Sequence, residues 1–184
     1  MLDLGRTLLG AVEREPTALA IVDGTIRRKY GDWFEEIRAA AGGLISRGLE
    51  PGDRCLILMK NSWQMATIYW ACQLACIVAT PINWRLKTRD VKFFVEDSMA
   101  KGIVFEDSTA SVAEASSSVG MLGISASGSG KSSFLDLCAS EPIEREGLAG
   151  PDDLSVMLYT SGTTGVGKGV PRRHRAERAA AVAH

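Results

Sequence analysis

Residues 54–82 read RCLILMKNSWQMATIYWACQLACIVATPI, and how this run divides decides the fold. Arg54 to Met59 is short, apolar and bounded by the turn residues Glu50-Pro51-Gly52-Asp53, which suits a buried strand. Asn61-Ser62 offers a side-chain cap to the apolar helix that follows, and Ile77 to Ile82 reads as the next strand. The most apolar part, Met65 to Ala79, is broken by Thr67 and Gln73 and falls short of the roughly 18 residues that span a bilayer. It reads as a buried helix feeding a strand, and no transmembrane segment is expected.

The same alternation continues on both sides. Upstream, Leu19 to Asp23 and Thr25 to Tyr30 flank Gly24 as a hairpin. Between Asp32 and Arg47, apolar residues recur at helical spacing, with Asp32 able to cap the start and Gly48 ending the run. Downstream, an amphipathic helix over Leu86 to Asp97 precedes a strand over Gly102 to Phe105. A weaker helix, Thr109 to Ser117, and a strand, Gly120 to Ile124, follow. Such alternation predicts an α/β fold, a largely parallel sheet with helices on both faces. Ligands in such folds bind where loops converge at the carboxyl ends of strands.

With 184 residues, one domain is the default. Apolar residues at 46%, charged residues at 23% and a net charge of -1 give no signature of nucleic-acid or membrane binding. The start, MLDLGRTLLGAVEREP, carries Asp3 and interrupts its apolar cluster with Gly10 and Glu13, unlike a signal peptide. Cys55, Cys72, Cys76 and Cys138 form no CxxC pair, which favours reduced thiols and a cytoplasmic location. Cys72 and Cys76 have the spacing to share a helix face and ligate a metal. Core packing accounts for them more cheaply, since a closed zinc site wants four ligands, and no metal residue is assigned. Trp63, Tyr69 and Trp70 read as core or partner-facing residues.

Two stretches set glycines beside a lysine. In residues 123–134, GISASGSGKSSF, the Walker pattern G-x-x-x-x-G-K-[ST] would use Lys131, but its first glycine falls on Ser125. Ten serines lie between Ser108 and Ser133, so a solvated linker explains the segment, and a small Walker-type ATPase is the lesser alternative. In residues 159–170, YTSGTTGVGKGV, an apolar strand over Leu154 to Tyr159 switches abruptly into hydroxyls and glycines. Glycines let backbone N–H groups bend towards a phosphate, the hydroxyls of Thr160, Ser161, Thr163 and Thr164 add donors, and Lys168 supplies positive charge. The later basic residues Arg172, Arg173, Arg175 and Arg178 lack interleaved aromatics, so no nucleic-acid partner is expected.

At these residues the sequence resembles the adenylate-forming, AMP-binding superfamily of acyl-CoA synthetases, luciferases and peptide-synthetase adenylation domains, whose signature reads approximately [ST]-S-G-T-T-G-x-P-K-G. Thr160 to Gly165, Lys168 and Gly169 occupy the expected positions, and His174 falls where many members carry a histidine. Gly167 stands where the family usually has proline. Tyr30-Gly31-Asp32, Leu49 to Arg54, Asn61-Ser62 and Pro81 to Leu86 resemble further family segments in the same order, and Cys76 replaces a common glycine.

The resemblance implies the first α/β subdomain of the family's large N-terminal domain, so that residues 1–184 form a truncated AMP-binding domain without the C-terminal lid domain. It implies a ligase that activates a carboxylic acid, as in fatty acid metabolism, with ATP and Mg2+ to an acyl-adenylate and then transfers the acyl group to a thiol such as CoA. Thr160, Ser161, Gly162, Thr163, Thr164, Gly165 and Lys168 are then the nucleotide-phosphate-binding residues. The main catalytic residues are expected beyond this chain, which alone is expected to be inactive. A non-catalytic remnant or interaction domain is the alternative.

Overall fold

The structure, a computed structural model, describes residues 3–128, 130, 132–160 and 167–183. A helix α1 (Leu4–Arg14) leads into strands β1 (Leu19–Asp23) and β2 (Ile26–Lys29), an antiparallel hairpin outside the main sheet with its turn at Gly24, φ 55°. Then come α2 (Tyr30–Ser46), β3 (Arg54–Leu58), α3 (Trp63–Leu74), β4 (Val78–Pro81), α4 (Thr88–Ser98) and β5 (Gly102–Phe105). A single 3-10 turn, α5 (Ala110–Ser116), β6 (Leu122–Ser125), α6 (Phe134–Cys138), β7 (Leu154–Thr160), β8 (Lys168–Arg173) and α7 (His174–Val182) complete the chain.

The six-stranded sheet has the order β6-β5-β3-β4-β7-β8; all neighbours are parallel except β7 and β8. Because β3 is central, both its faces are covered, which is why its sequence is apolar without alternation. Cys55 and Ile57 pack with α1, α2, α3 and α6, whereas Leu56 and Leu58 pack with α4 and α5. The expectation of an α/β fold with helices on both faces of a largely parallel sheet is met.

Local differences have local causes. Helix α2 begins at Tyr30, before the expected cap at Asp32, and no side chain caps it. The carbonyls of Ala18 and Pro16 accept from Tyr30 N–H at 3.0 Å and Gly31 N–H at 2.8 Å, satisfying donors that a cap would otherwise serve. Ser62 caps α3 as expected, accepting from Met65 N–H at 3.2 Å. Cys72 and Cys76 do not share a helix, because α3 ends at Leu74 and Cys76 adopts a left-handed φ of 56°. That conformation favours glycine, which accounts for the family's usual residue there.

Helix α1 and strand β8 have no counterpart in the sequence expectations. The first is signalled by Leu4, Leu8 and Val12 on one buried face behind Asp3, whose carboxylate accepts from Arg6 N–H at 2.9 Å. The second, KGVPRR, is polar and contains proline; Pro171 is tolerated because β8 is an edge strand paired only with β7.

Candidate functional site

The site candidate lies at the carboxyl edge of the sheet, where β7 outruns its neighbour. Ala79 of β4 pairs with Val156 of β7, and β4 stops at Pro81 while β7 continues to Thr160. Tyr159 and Thr160 therefore overhang the end of β4, supported on the other side by β8. The pairing of Tyr159 with Gly169 and Thr160 with Lys168 closes the neck of a hairpin. Thr160 and Lys168, both exposed, are thus brought together, one on each side of the neck. Ser161, Gly162, Thr163, Thr164 and Gly165 lie outside the described residues, as does Lys131.

Helix α4 holds this neck in place. The Tyr159 ring lies against Phe94 with centroids 4.2 Å apart, and its hydroxyl donates to Asp97 Oδ2 at 2.7 Å. Burial and the hydrogen bond to Asp97 push the Tyr159 hydroxyl well above the usual tyrosine value, so it stays protonated and donating. A Cβ at Gly167 would meet the same Phe94 ring at 3.3 Å, so both sides of the neck rest on one side chain. Phe94 and Asp97 were not singled out in the sequence. Their only signal is membership of an amphipathic helix, and their partner is 62 or more positions away.

An open groove of 1020 Å³ lies beside the neck, bordered by Ile82, Leu86, Phe93, Tyr159, Thr160 and Gly167. Farther along the same edge, Trp84 meets two cations: Lys60 Nζ lies 4.7 Å and Arg85 Cζ 4.2 Å from its ring centroid. Glu106, at the end of β5, pairs with Lys60 at 3.4 Å.

The basic residues after Lys168 are largely paired. Arg172 meets Glu177 at 2.5 Å, and Arg173 and Arg175 meet Asp152 at 3.8 and 3.1 Å. His174 starts α7 and is fully buried at the foot of β8. The serine-rich segment has its own hydrogen-bonding: Ser125 Oγ accepts from Gly128 N–H at 2.9 Å, and Ser133 Oγ caps α6 by accepting from Asp136 N–H at 3.2 Å. Of the cysteines, Cys76 and Cys138 are pushed up to about 12 by burial, and a hydrogen bond with the neighbouring Cys55 thiol, together with burial, raises Cys72 as well. Such thiols stay protonated and are poor nucleophiles. No helix among the described residues is long and apolar enough to cross a membrane.

The hairpin neck at the carboxyl edge of a largely parallel sheet brackets, in sequence, the glycine- and hydroxyl-rich residues 161–166. The chain belongs to the AMP-binding enzyme family, whose model matches residues 9–184. It is 33% identical over 167 residues to a fatty acid–[acyl-carrier-protein] ligase of Streptomyces coeruleorubidus, covering 89% of this chain and 31% of that protein. To a long-chain-fatty-acid–CoA ligase of Mycobacterium tuberculosis it is 30% identical over 158 residues, covering 85% of this chain and 31% of the ligase. Among solved structures, ATP-bound MatB from Rhodopseudomonas palustris superposes with a TM-score of 0.86 at 26% identity, over 98% of this chain and 36% of that one. The chain thus spans about a third of the length of these curated relatives.

Proposed function

We propose that these 184 residues supply the phosphate-holding part of an adenylate-forming ligase, in which a carboxylate attacks the α-phosphorus of ATP, forming an acyl-adenylate and releasing pyrophosphate. The acyl group then passes to a thiol such as CoA. The observation that carries the reading is the neck: Thr160 and Lys168 face one another across a hairpin clamped to α4, beside a groove open at the sheet's carboxyl edge. The family and the ligases among its relatives support the same chemistry.

In this reading the chain's residues bind and orient the nucleotide. As the bond to the leaving pyrophosphate breaks, negative charge grows on its oxygens, and a preplaced ammonium at Lys168 with the Thr160 hydroxyl stabilises that charge more than the ground state. Ser161, Gly162, Thr163, Thr164 and Gly165 are proposed as the remaining phosphate contacts. Among the described residues no group of three His, Cys, Asp or Glu side chains is placed to hold a metal ion. Magnesium would be carried by the triphosphate and would neutralise part of its charge, and no step is assigned to it. The buried, protonated thiols suit the reducing cytoplasm.

The 184-residue polypeptide is expected to bind Mg-ATP by calorimetry yet release no pyrophosphate when offered carboxylic acids and CoA. Absence of Mg-ATP binding would overturn the phosphate-loop reading. Sustained turnover would overturn the view that these residues do not complete the reaction alone.

A further inference from the structure

Among the described residues His174 is a fully buried histidine, and three elements meet on it. Its imidazole Nδ1 accepts from the Leu4 backbone N–H, the first residue of α1, at 3.3 Å. Its own backbone N–H donates to the Asp153 carbonyl at 3.1 Å, and the next amide, that of Arg175, donates to the Pro151 carbonyl at 2.9 Å. Those carbonyls belong to the turn entering β7, directly beside the Leu154–Arg173 pair that closes the foot of the hairpin. The far end of the same hairpin is the Thr160–Lys168 neck. Since β8 is an edge strand, its register depends on β7 and on this foot.

We propose that His174 is a positioning residue for the phosphate loop, fastening the start of α1 to the foot of the β7–β8 hairpin through its neutral, Nε2-protonated form. The part concerning phosphate rests on the functional reading above; the fastening itself does not. With Nδ1 accepting from Leu4, the proton of a neutral imidazole sits on Nε2. A cationic imidazole carries a proton on Nδ1 as well, which sets donor against donor and breaks the fastening. Nε2 is buried without a hydrogen-bond partner, and so is Asp3 Oδ2 on the neighbouring helix cap.

The charged groups acting on His174 are Asp3, ahead of α1, and Asp153, ahead of β7; Arg6 holds Asp3 at 3.7 Å, and the protonated Cys76 thiol lies against Asp153. Burial lowers the His174 value below that of an ordinary histidine, and the two carboxylates only partly oppose it. The unfolded chain therefore takes up a proton first as pH falls. The fastening is fully present above the usual histidine value of about 6.5 and is lost as pH falls through the lower folded-state value.

Amide hydrogen exchange on the 184-residue chain, at pH 7.5 and 5.5 and without nucleotide, tests the fastening. His174→Ala is expected to speed exchange of α1 and β8 amides about five- to tenfold at pH 7.5, the effect of one lost hydrogen bond, while β3 and β5 stay protected. His174→Asn, whose Oδ1 replaces Nδ1 as acceptor, is expected to restore protection and remove the extra exchange that the wild type shows at pH 5.5. Unchanged α1 or β8 exchange in His174→Ala, or His174→Asn behaving like alanine, overturns the proposal. Should His174→Ala fail to fold, the pH response of wild type against His174→Asn decides alone, and equal responses overturn the proposal. Mg-ATP titration of the same variants tests the link to the loop: weaker binding in His174→Ala with recovery in His174→Asn supports it, and equal affinity in all three overturns it. A wild-type chain that binds no Mg-ATP overturns the functional reading and this link together, while the exchange result still judges the fastening.

Discussion

The serine-rich segment around residues 125–133 and the hairpin neck at Thr160 and Lys168 are built from the same residue types, yet the fold treats them oppositely. Around the first, the described polar groups bond to one another. Ser125 N–H donates to Ser132 O at 3.0 Å, Ser133 N–H to Gly130 O at 3.1 Å, and Ser132 N–H to Asp136 Oδ2 at 3.2 Å. The segment then enters a helix of only five residues, docked on α2. The neck instead projects past the end of β4, with Thr160 and Lys168 exposed at its two sides. Composition alone does not distinguish a phosphate loop from a polar turn; what separates them is whether donors find acceptors within the segment or stay open to a ligand.

The docking of the serine-rich side depends on two glycines in α2, and breaking it should give the largest effect. A Cβ at Gly42 would lie 2.0 Å from the Glu141 carbonyl oxygen, and one at Gly43 would lie 2.8 Å from the Leu137 side chain. The clash at Gly42 is not relieved by a rotamer change, because the obstacle is backbone. Gly42→Ala is expected to cost about 3 kcal/mol in a denaturant titration by forcing α6 and the 140–143 segment off α2. Retained stability would show that this side of the molecule is more adaptable than its contacts imply. The Arg47 guanidinium, bonded to the Asp136 carboxylate and to Ser140 Oγ at 3.2 Å, marks the same docking.

The second test contrasts the two lysines. Lys168→Ala is expected to weaken Mg-ATP binding by about 2 kcal/mol, roughly thirtyfold, as the loss of a charge-assisted contact to phosphate. Lys131→Ala is expected to leave it unchanged. The reverse pattern would move the nucleotide to the serine-rich segment, and equal losses would erase the distinction between the two regions.

Much of this layout was legible in the sequence because it rests on local pattern. The bounds of β5 are Gly102–Phe105, as the apolar run and its flanks predict, and Ser62 caps α3 from a two-residue signal. Strand β8 was not legible, since an edge strand needs no apolar run and Lys168–Arg173 has none. Gly42 and Gly43 read simply as helix residues, because Glu141 and Leu137 come within reach only after the sheet assembles. The support of the neck by Phe94 and Asp97, and the burial of His174 under Leu4, are likewise contacts between distant segments. The candidate phosphate residues follow from composition and resemblance; the side chains that support the neck at Thr160 and Lys168 do not.

The smallest expected effect concerns Gly167, where the family usually has proline. The glycine is not required by the backbone, since its φ lies outside the left-handed region in which Gly130, at 105°, and Ser132, at 71°, shape the serine-rich turn. Replacing it should therefore stabilise the chain by about 0.4–1 kcal/mol through the unfolded state, were space available. Space is short: a Cβ would lie 3.0 Å from the Thr160 carbonyl oxygen and 3.3 Å from Phe94 Cε1. Both neighbours are fixed, the carbonyl by the Thr160–Lys168 pair and the ring by Tyr159. A side chain must push the two strands apart at the point where Thr160 and Lys168 are matched. Gly167→Ala is accordingly expected to leave the melting temperature unchanged, the two effects cancelling, while loosening Mg-ATP binding about twofold, or ~0.4 kcal/mol. Tighter binding together with a higher melting temperature would show that the neck has room to give, and that the glycine is a loss of preorganisation rather than a fit to Phe94.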